Sequence, residues 1–108
     1  MIRIAIVDDI DWERLELKER IQTTLKHLDW ENTIFEYYDG RTFLSAARNK
    51  PFDLAFLDIY MKEMNGMTVA RELRALDPDL SIVFLTSSKD YVYEGYEIHA
   101  LRYLLKPP

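Results

Sequence analysis

The sequence predicts an α/β domain in which five short strands alternate with helices and form a parallel sheet. Two observations carry this prediction. Apolar, β-branched runs of one strand's length recur along the chain, and the segments between them space their apolar residues as a helix does. The 108 residues are 48% hydrophobic, which is enough for one domain with its own core.

The first half of the chain contains two strands and two helices. Residues 2–7 form an apolar run, which predicts a strand buried on both faces. A helix over about residues 11–29 follows, with Asp11 as its N-cap and with leucine and isoleucine at near-helical spacing. Residues 33–38 are predicted as the second strand, and Asp39-Gly40 ends it. A short helix then ends near Asn49-Lys50-Pro51.

The second half contains three strands and two helices. Residues 52–59 are predicted as the third strand, and Asn65-Gly66 marks the turn after it. The next helix ends at Asp77-Pro78, and residues 80–85 form the fourth strand. A weaker helix over residues 90–98 and a last strand over residues 101–105 complete the pattern.

Polar residues follow four of these strands where each strand ends. In open α/β sheets, ligands bind outside the carboxyl ends of the strands, where the strand order reverses. With a strand order of 2-1-3-4-5, all of these residues converge on one edge of the sheet. They are Asp8 and Asp9 after strand one, Asp58 at strand three, Thr86 after strand four and Lys106 after strand five.

Three carboxylates in one crevice repel each other and require a cation. A pair about 4 Å apart costs on the order of 1 kcal/mol in water and more in a partly dry site. An oxygen-only ligand set favours a hard ion, so Asp8, Asp9 and Asp58 predict a Mg²⁺ site. With Lys106 and Thr86 added, the set has the parts of phosphoryl transfer, with Asp58 as the nucleophile. Each residue alone has an ordinary structural explanation, such as a strand end or a helix cap.

Composition excludes several other classes of function. The 14 basic and 19 acidic residues give a net charge of −5, which disfavours direct nucleic-acid binding. The chain has no cysteine, so it has no disulfide or thiolate chemistry, which is compatible with a cytoplasmic protein. Its apolar N-terminal run is too short for a signal peptide or a membrane span.

The motifs at the strand ends resemble the receiver domain of bacterial two-component response regulators. They are Ile-Val-Asp8-Asp9, Phe-Leu-Asp58-Ile-Tyr-Met, Asn65-Gly66, Phe-Leu-Thr86-Ser87 and Tyr103-Leu-Leu-Lys106-Pro107. The resemblance implies the flavodoxin-like (βα)5 fold over residues 1–108. The stretch 96–107 resembles more particularly the regulators that carry a LytTR-type DNA-binding output domain.

The resemblance also implies a role for each site residue. Asp58 would be phosphorylated by a sensor histidine kinase, and Lys106 and Thr86 would contact the phosphoryl group. Asp8, Asp9, Asp58 and the backbone carbonyl of Tyr60 would hold Mg²⁺. Thr86 would move toward the phosphoryl group and open space for Tyr103, the switch aromatic residue. Such a domain is a signalling switch that at most catalyses its own phosphorylation and dephosphorylation.

Receivers continue into a fifth helix, whereas this sequence ends at Pro108. We therefore expect a domain that stops before its last helix, with apolar surface exposed beside the first helix and the fifth strand. Such a surface favours self-association, so a homodimer is a possible partner state. DNA contact would come only through an output domain outside this chain.

Two alternative functions remain open from the sequence. The first is a non-phosphorylated pseudo-receiver acting as an interaction module, although its usual sign, loss of the acidic pair, the aspartate or the lysine, is not seen here. The second is an aspartate-nucleophile phosphatase of the haloacid dehalogenase type, for which Asp9-Ile10-Asp11 has the spacing but Glu13 replaces the required threonine. The three glycines of the chain do not form a P-loop.

Overall fold

The computed structural model describes residues 1–106 and has the predicted alternation of strands and helices. The five strands are parallel and lie in the order β2-β1-β3-β4-β5, which confirms the predicted flavodoxin-like order. Pro107 and Pro108, which complete the Lys-Pro motif, lie outside the described residues. The elements are β1 Ile2–Val7, α1 Asp11–His27, β2 Asn32–Tyr37, α2 Gly40–Asn49, β3 Leu54–Leu57, α3 Gly66–Leu76, β4 Ser81–Thr86, α4 Val92–Glu97 and β5 Arg102–Leu105.

The register of the sheet brings the strand ends level with one another. Val7, the last residue of β1, pairs with Leu57, the last residue of β3. The last residues of β4 and β5, Thr86 and Leu105, are paired in the same way. Because parallel strands point in one direction, the residues that follow these pairs leave the sheet at a single edge.

The core lies between the sheet and the helices α2 and α3. It consists of fully buried aliphatic and aromatic side chains, and each buries enough apolar surface to stabilise the fold by roughly 1.5–3 kcal/mol. The largest of them are Phe43, Phe84, Leu57, Ile59, Met67, Leu73 and Ile82. This packing fixes the strand ends that carry the polar residues.

Two local predictions were wrong. Asp11 does not cap α1: the N-cap is Ile10, which makes no side-chain cap bond, and the Asp11 carboxylate accepts a hydrogen bond from Arg14 at 2.7 Å. The third strand is shorter than residues 52–59 and spans Leu54–Leu57, although the backbone N–H of Asp53 still donates to the carbonyl of Arg3 at 2.8 Å. Asp39 and Asn65, in contrast, cap α2 and α3 by accepting the backbone N–H groups of Thr42 and Met67, each at 2.7 Å.

The apolar face predicted for α1 is only partly covered. Leu25 is its one buried residue, whereas Leu15 and Leu28 are exposed. Leu104 and Leu105 on β5 are exposed as well. The expected apolar surface beside the first helix and the fifth strand is therefore present. Among residues 1–106, no helix has both the length and the hydropathy needed to cross a membrane.

Candidate functional site

The predicted site residues lie at the carboxyl ends of β1, β3, β4 and β5. Asp8, Asp58 and Thr86 are the buried polar residues of the described chain, with exposed fractions of 6%, 5% and 0%. Asp58 immediately follows β3, and its backbone N–H donates to the carbonyl of Val7 at 3.0 Å. The ladder between β1 and β3 thus continues one residue beyond the strands and holds Asp58 beside Asp8.

The Asp58 carboxylate has one partner on each oxygen. Oδ1 accepts the backbone N–H of Tyr60 at 3.3 Å, and Oδ2 accepts a hydrogen bond from Lys106 Nζ at 3.2 Å. Burial raises the pKa of Asp58 from its ordinary value of 3.8 to about 6, although the charge of Lys106 opposes this shift. A carboxylate held with its charge poorly solvated favours the approach of a cation.

Lys106 joins three acidic residues through one ammonium group. Its Nζ lies 3.0 Å from Asp8 Oδ2 and 3.2 Å from Asp58 Oδ2, and it also contacts a carboxylate oxygen of Glu13. Its backbone N–H donates to the carbonyl of Thr86 at 2.7 Å, which ties the end of β5 to the end of β4. Burial acts to lower the pKa of Lys106, but the surrounding carboxylates raise it above its usual value.

Asp8 and Asp9 occupy different environments. Asp8 Oδ1 accepts the backbone N–H of Ile10 at 2.9 Å, and burial raises the pKa of Asp8. Arg14 donates to the backbone carbonyl of Asp8 at 2.8 Å and so fixes the loop between β1 and α1. Asp9 is less buried, and its Oδ2 accepts the backbone N–H of Lys62 at 3.0 Å, which joins this loop to the loop after β3.

Carboxylate oxygens of Asp8, Glu13 and Asp58 all lie within 4.8 Å of one another. Three hard oxygen donors at this separation suit a hard divalent cation such as Mg²⁺. These residues fit the predicted ion, but the cluster contains Glu13 and not the predicted Asp9, whose carboxylate accepts the backbone N–H of Lys62 instead.

Glu13 was missed as a site residue by the sequence analysis. The signal was available, because Glu13 lies in the first turn of a helix that begins at the same edge of the sheet. Asp11, in contrast, is exposed and turned toward Arg14, so the Asp9-Ile10-Asp11 pair expected of a haloacid dehalogenase does not form a site.

Thr86 has a hydroxyl without a partner in the described part of the chain. Its Oγ1 is fully buried and makes no hydrogen bond there. A buried hydroxyl without a partner costs about 1–3 kcal/mol, so this group is suited to an acceptor that arrives with a ligand. The structure therefore places an unused donor at the end of β4.

Tyr103 lies beside the loop that follows β4. Its hydroxyl donates to the carbonyl of Ser88 at 2.6 Å, and its ring packs against Phe84 with a centroid distance of 5.8 Å. A Cβ on Gly95 would lie only 3.3 Å from the Tyr103 ring, so this glycine makes room for the aromatic side chain. Burial raises the pKa of the Tyr103 phenol.

The loop after β3 approaches Asp58 closely. A Cβ on Gly66 would lie 1.9 Å from the backbone oxygen of Asp58, so the first turn of α3 packs there only with glycine. The Tyr60 hydroxyl donates to Asp90 at 3.1 Å, in the loop before α4. This hydrogen bond links the loop after β3 to the loop after β4.

The chain belongs to the response regulator receiver domain family, which it matches over residues 4–108. It is 37% identical over 106 residues to the sensory transduction protein LytR of Streptococcus mutans, covering 98% of this chain and 43% of that protein. It is 34% identical to LytT of Bacillus anthracis over 107 residues, covering 99% of this chain and 42% of that protein. These matches confirm the predicted family and agree with the narrower LytTR resemblance.

Solved structures support the same assignment of the fold. The chain superimposes with a TM-score of 0.84 and 30% identity on the response regulator TrrA of Thermotoga maritima in complex with Mg²⁺-BeF, covering 99% of this chain and 88% of that one. The response regulatory domain of MrkE from Klebsiella pneumoniae gives a TM-score of 0.86 at 28% identity, covering 99% and 84%. The chain spans less than half the length of the LytR and LytT relatives.

Proposed function

We propose that the chain is a phosphorylation-dependent switch of a two-component system and that Asp58 is its phosphoacceptor. The observation that carries the proposal is the meeting of Asp58 with Asp8 and Lys106 in one buried site. The nearby buried hydroxyl of Thr86 completes the set. An acidic group, an ammonium and an unused hydroxyl are the parts that phosphoryl transfer to a carboxylate requires.

In the proposed reaction, an oxygen of the ionised Asp58 carboxylate attacks the phosphorus of a phosphohistidine on a sensor histidine kinase. A P–O bond forms, the P–N bond breaks, and the imidazole nitrogen keeps the electron pair of the broken bond. Lys106 donates to a phosphoryl oxygen, and Thr86 Oγ1 donates to another. The residues that would hold Mg²⁺ are Asp8, Asp9, Asp58 and the backbone carbonyl of Tyr60. A bound Mg²⁺ would neutralise charge on the phosphoryl oxygens.

The conformational response follows from the same contacts. A phosphoryl group on Asp58 adds about −1.5 to −2 charge and strong acceptor oxygens. Thr86 moves toward those oxygens, and Tyr103 shifts into the space that Thr86 vacates. The phosphoryl group changes this equilibrium only by the difference in its interaction with the two states. The surface near α4 and β5, where Tyr103 lies, is therefore the surface that changes.

We further propose that residues 1–108 form one receiver domain that controls an output region of a longer protein. The LytR and LytT relatives exceed this chain in length, and other relatives are named transcriptional regulatory proteins, such as ZraR of Salmonella typhimurium at 36% identity over 80 residues. On this proposal, DNA is contacted only by the output region, and the exposed leucines of α1 and β5 lie at a contact with another segment or a second copy.

The proposal is tested by incubating the chain with acetyl phosphate and Mg²⁺ and measuring its intact mass. We expect the addition of one phosphoryl group, which Asp58→Asn abolishes and the exposed control Asp79→Asn retains. An unmodified mass in a chain shown by circular dichroism to be folded would favour the pseudo-receiver alternative instead.

A further inference from the structure

Lys106 has no spare hydrogen-bond donor in the described structure. A lysine ammonium carries three N–H groups. In this site the three are directed to Asp8, Asp58 and Glu13. A phosphoryl oxygen that binds Lys106 must therefore replace one of these three carboxylates.

The three carboxylates differ in how readily they are released. The side chains of Asp58 and Asp8 are 5% and 9% exposed, whereas that of Glu13 is 21% exposed. Glu13 also has the longest side chain of the three, and it extends from the first turn of α1 at the rim of the site. Returning a carboxylate to water is easiest for the one already closest to it. Glu13 is thus the partner that a phosphoryl group displaces at the smallest cost.

We propose that Glu13 is a positioning residue that holds Lys106 in the unphosphorylated state and competes with the phosphoryl oxygens for its ammonium group. This inference rests on the proposed function of Asp58. Glu13 thereby sets how tightly the site holds an anion on Asp58. Its negative charge and its contact with Lys106 act in the same direction, because both disfavour an arriving phosphoryl group.

The proposal predicts that loss of Glu13 has opposite effects on the affinity for Mg²⁺ and on the affinity for a phosphoryl analogue. Without Glu13, the site has one negative charge fewer, so Mg²⁺ alone binds more weakly. At saturating Mg²⁺, Lys106 is free to donate to an anion on Asp58, so a phosphoryl analogue binds more tightly. A purely structural role for Glu13 predicts instead that both affinities fall together, because the site would lose its shape. A role as a Mg²⁺ ligand in the complex predicts the same joint loss.

The test measures the affinity for Mg²⁺ and, at saturating Mg²⁺, for beryllofluoride by fluorine NMR and calorimetry. For Glu13→Gln we expect Mg²⁺ affinity to fall at least threefold and beryllofluoride affinity to rise at least threefold relative to the unmodified chain. The matched control is Glu16→Gln, which makes the same change one turn further along α1. Glu16 lies outside the site and forms an ion pair with Arg20 at 2.9 Å. The control is expected to change neither affinity.

A second variant separates the contact from the charge. Glu13→Asp keeps the charge but shortens the side chain by one methylene, which withdraws it from Lys106. We expect this variant to bind beryllofluoride more tightly than the unmodified chain. Unchanged or weaker binding of beryllofluoride by Glu13→Gln, or no gain in Glu13→Asp, would overturn the proposal. Absence of Mg²⁺-dependent beryllofluoride binding by the unmodified chain would instead refute the proposed function.

Discussion

Replacing Asp58 with asparagine removes a carboxylate whose ionised form lowers the stability of the metal-free fold. The pKa of Asp58 rises from 3.8 to about 6, chiefly because the side chain is buried. At 1.36 kcal/mol per pKa unit, this difference corresponds to about 3 kcal/mol by which the ionised group disfavours the native state. Asparagine has nearly the same shape and no charge, so Asp58→Asn relieves this cost.

The dependence on pH follows from the direction of the shift. Because the pKa is higher in the folded state, the native chain binds more protons than the unfolded chain between pH 4 and 6. The contribution of Asp58 to stability therefore falls as pH rises through this window, and the cost is fully present at pH 7. At pH 5 it is about half as large, and near pH 3 it disappears.

The assay is urea denaturation in the presence of a chelator, with Asp79→Asn as an exposed control. At pH 7.5 we expect Asp58→Asn to raise the free energy of unfolding by up to about 3 kcal/mol. The gain should shrink as the pH is lowered toward 4, and the control should show neither effect. An Asp58→Asn variant that is less stable than the unmodified chain at pH 7.5 would refute the reasoning, because it would show that the Lys106 contact outweighs burial.

Three further predictions concern neighbouring residues. Mg²⁺ at about 100 times its dissociation constant should stabilise the unmodified chain by about 2.7 kcal/mol in urea denaturation. At the same Mg²⁺ concentration, Asp9→Ala should lose most of this stabilisation. An undiminished stabilisation would exclude Asp9 as a ligand. Thr86→Val should stabilise the unphosphorylated chain by about 1 kcal/mol or more, because it removes the unpaired hydroxyl. The same variant should bind beryllofluoride more weakly in calorimetry. Tighter binding would contradict the role of Thr86 as a donor to the phosphoryl group. Gly66→Ala should destabilise the chain by about 1–3 kcal/mol or more in thermal denaturation and should slow phosphorylation, because its Cβ would lie 1.9 Å from the Asp58 backbone oxygen. Gly95→Ala should destabilise the chain less, because its Cβ would lie 3.3 Å from the Tyr103 ring. The reverse order of stabilities would contradict the packing argument.

The sequence was sufficient to predict the parallel sheet and the edge of the sheet at which the site lies. Apolar runs of strand length alternating with helical segments leave few arrangements other than a parallel sheet, and the ends of its strands share one edge. The sequence therefore predicts that Asp8, Asp58, Thr86 and Lys106 share this edge, and the structure places all four there, with Lys106 in contact with Asp8 and Asp58.

The parts that failed depend on side-chain reach and not on periodicity. Aspartate is a residue type favoured at N-caps, but the ion pair of Asp11 with Arg14 competes with that role. Glu13 contacts Lys106 across 93 positions of sequence. Its place in the first turn of α1 indicates the right edge of the sheet, but it does not indicate that the side chain turns into the site. The third strand was predicted too long because the apolar run of the sequence extends from Phe52 to Ile59, whereas the strand spans only Leu54–Leu57.

The most direct test of the central claim is to locate the phosphoryl group on the chain. After phosphorylation with acetyl phosphate and Mg²⁺, borohydride reduces an aspartyl phosphate to homoserine, which peptide mass analysis identifies by position. We predict homoserine at position 58 in place of aspartate. Intact Asp58 in a chain whose phosphoryl group maps to another residue would contradict the account.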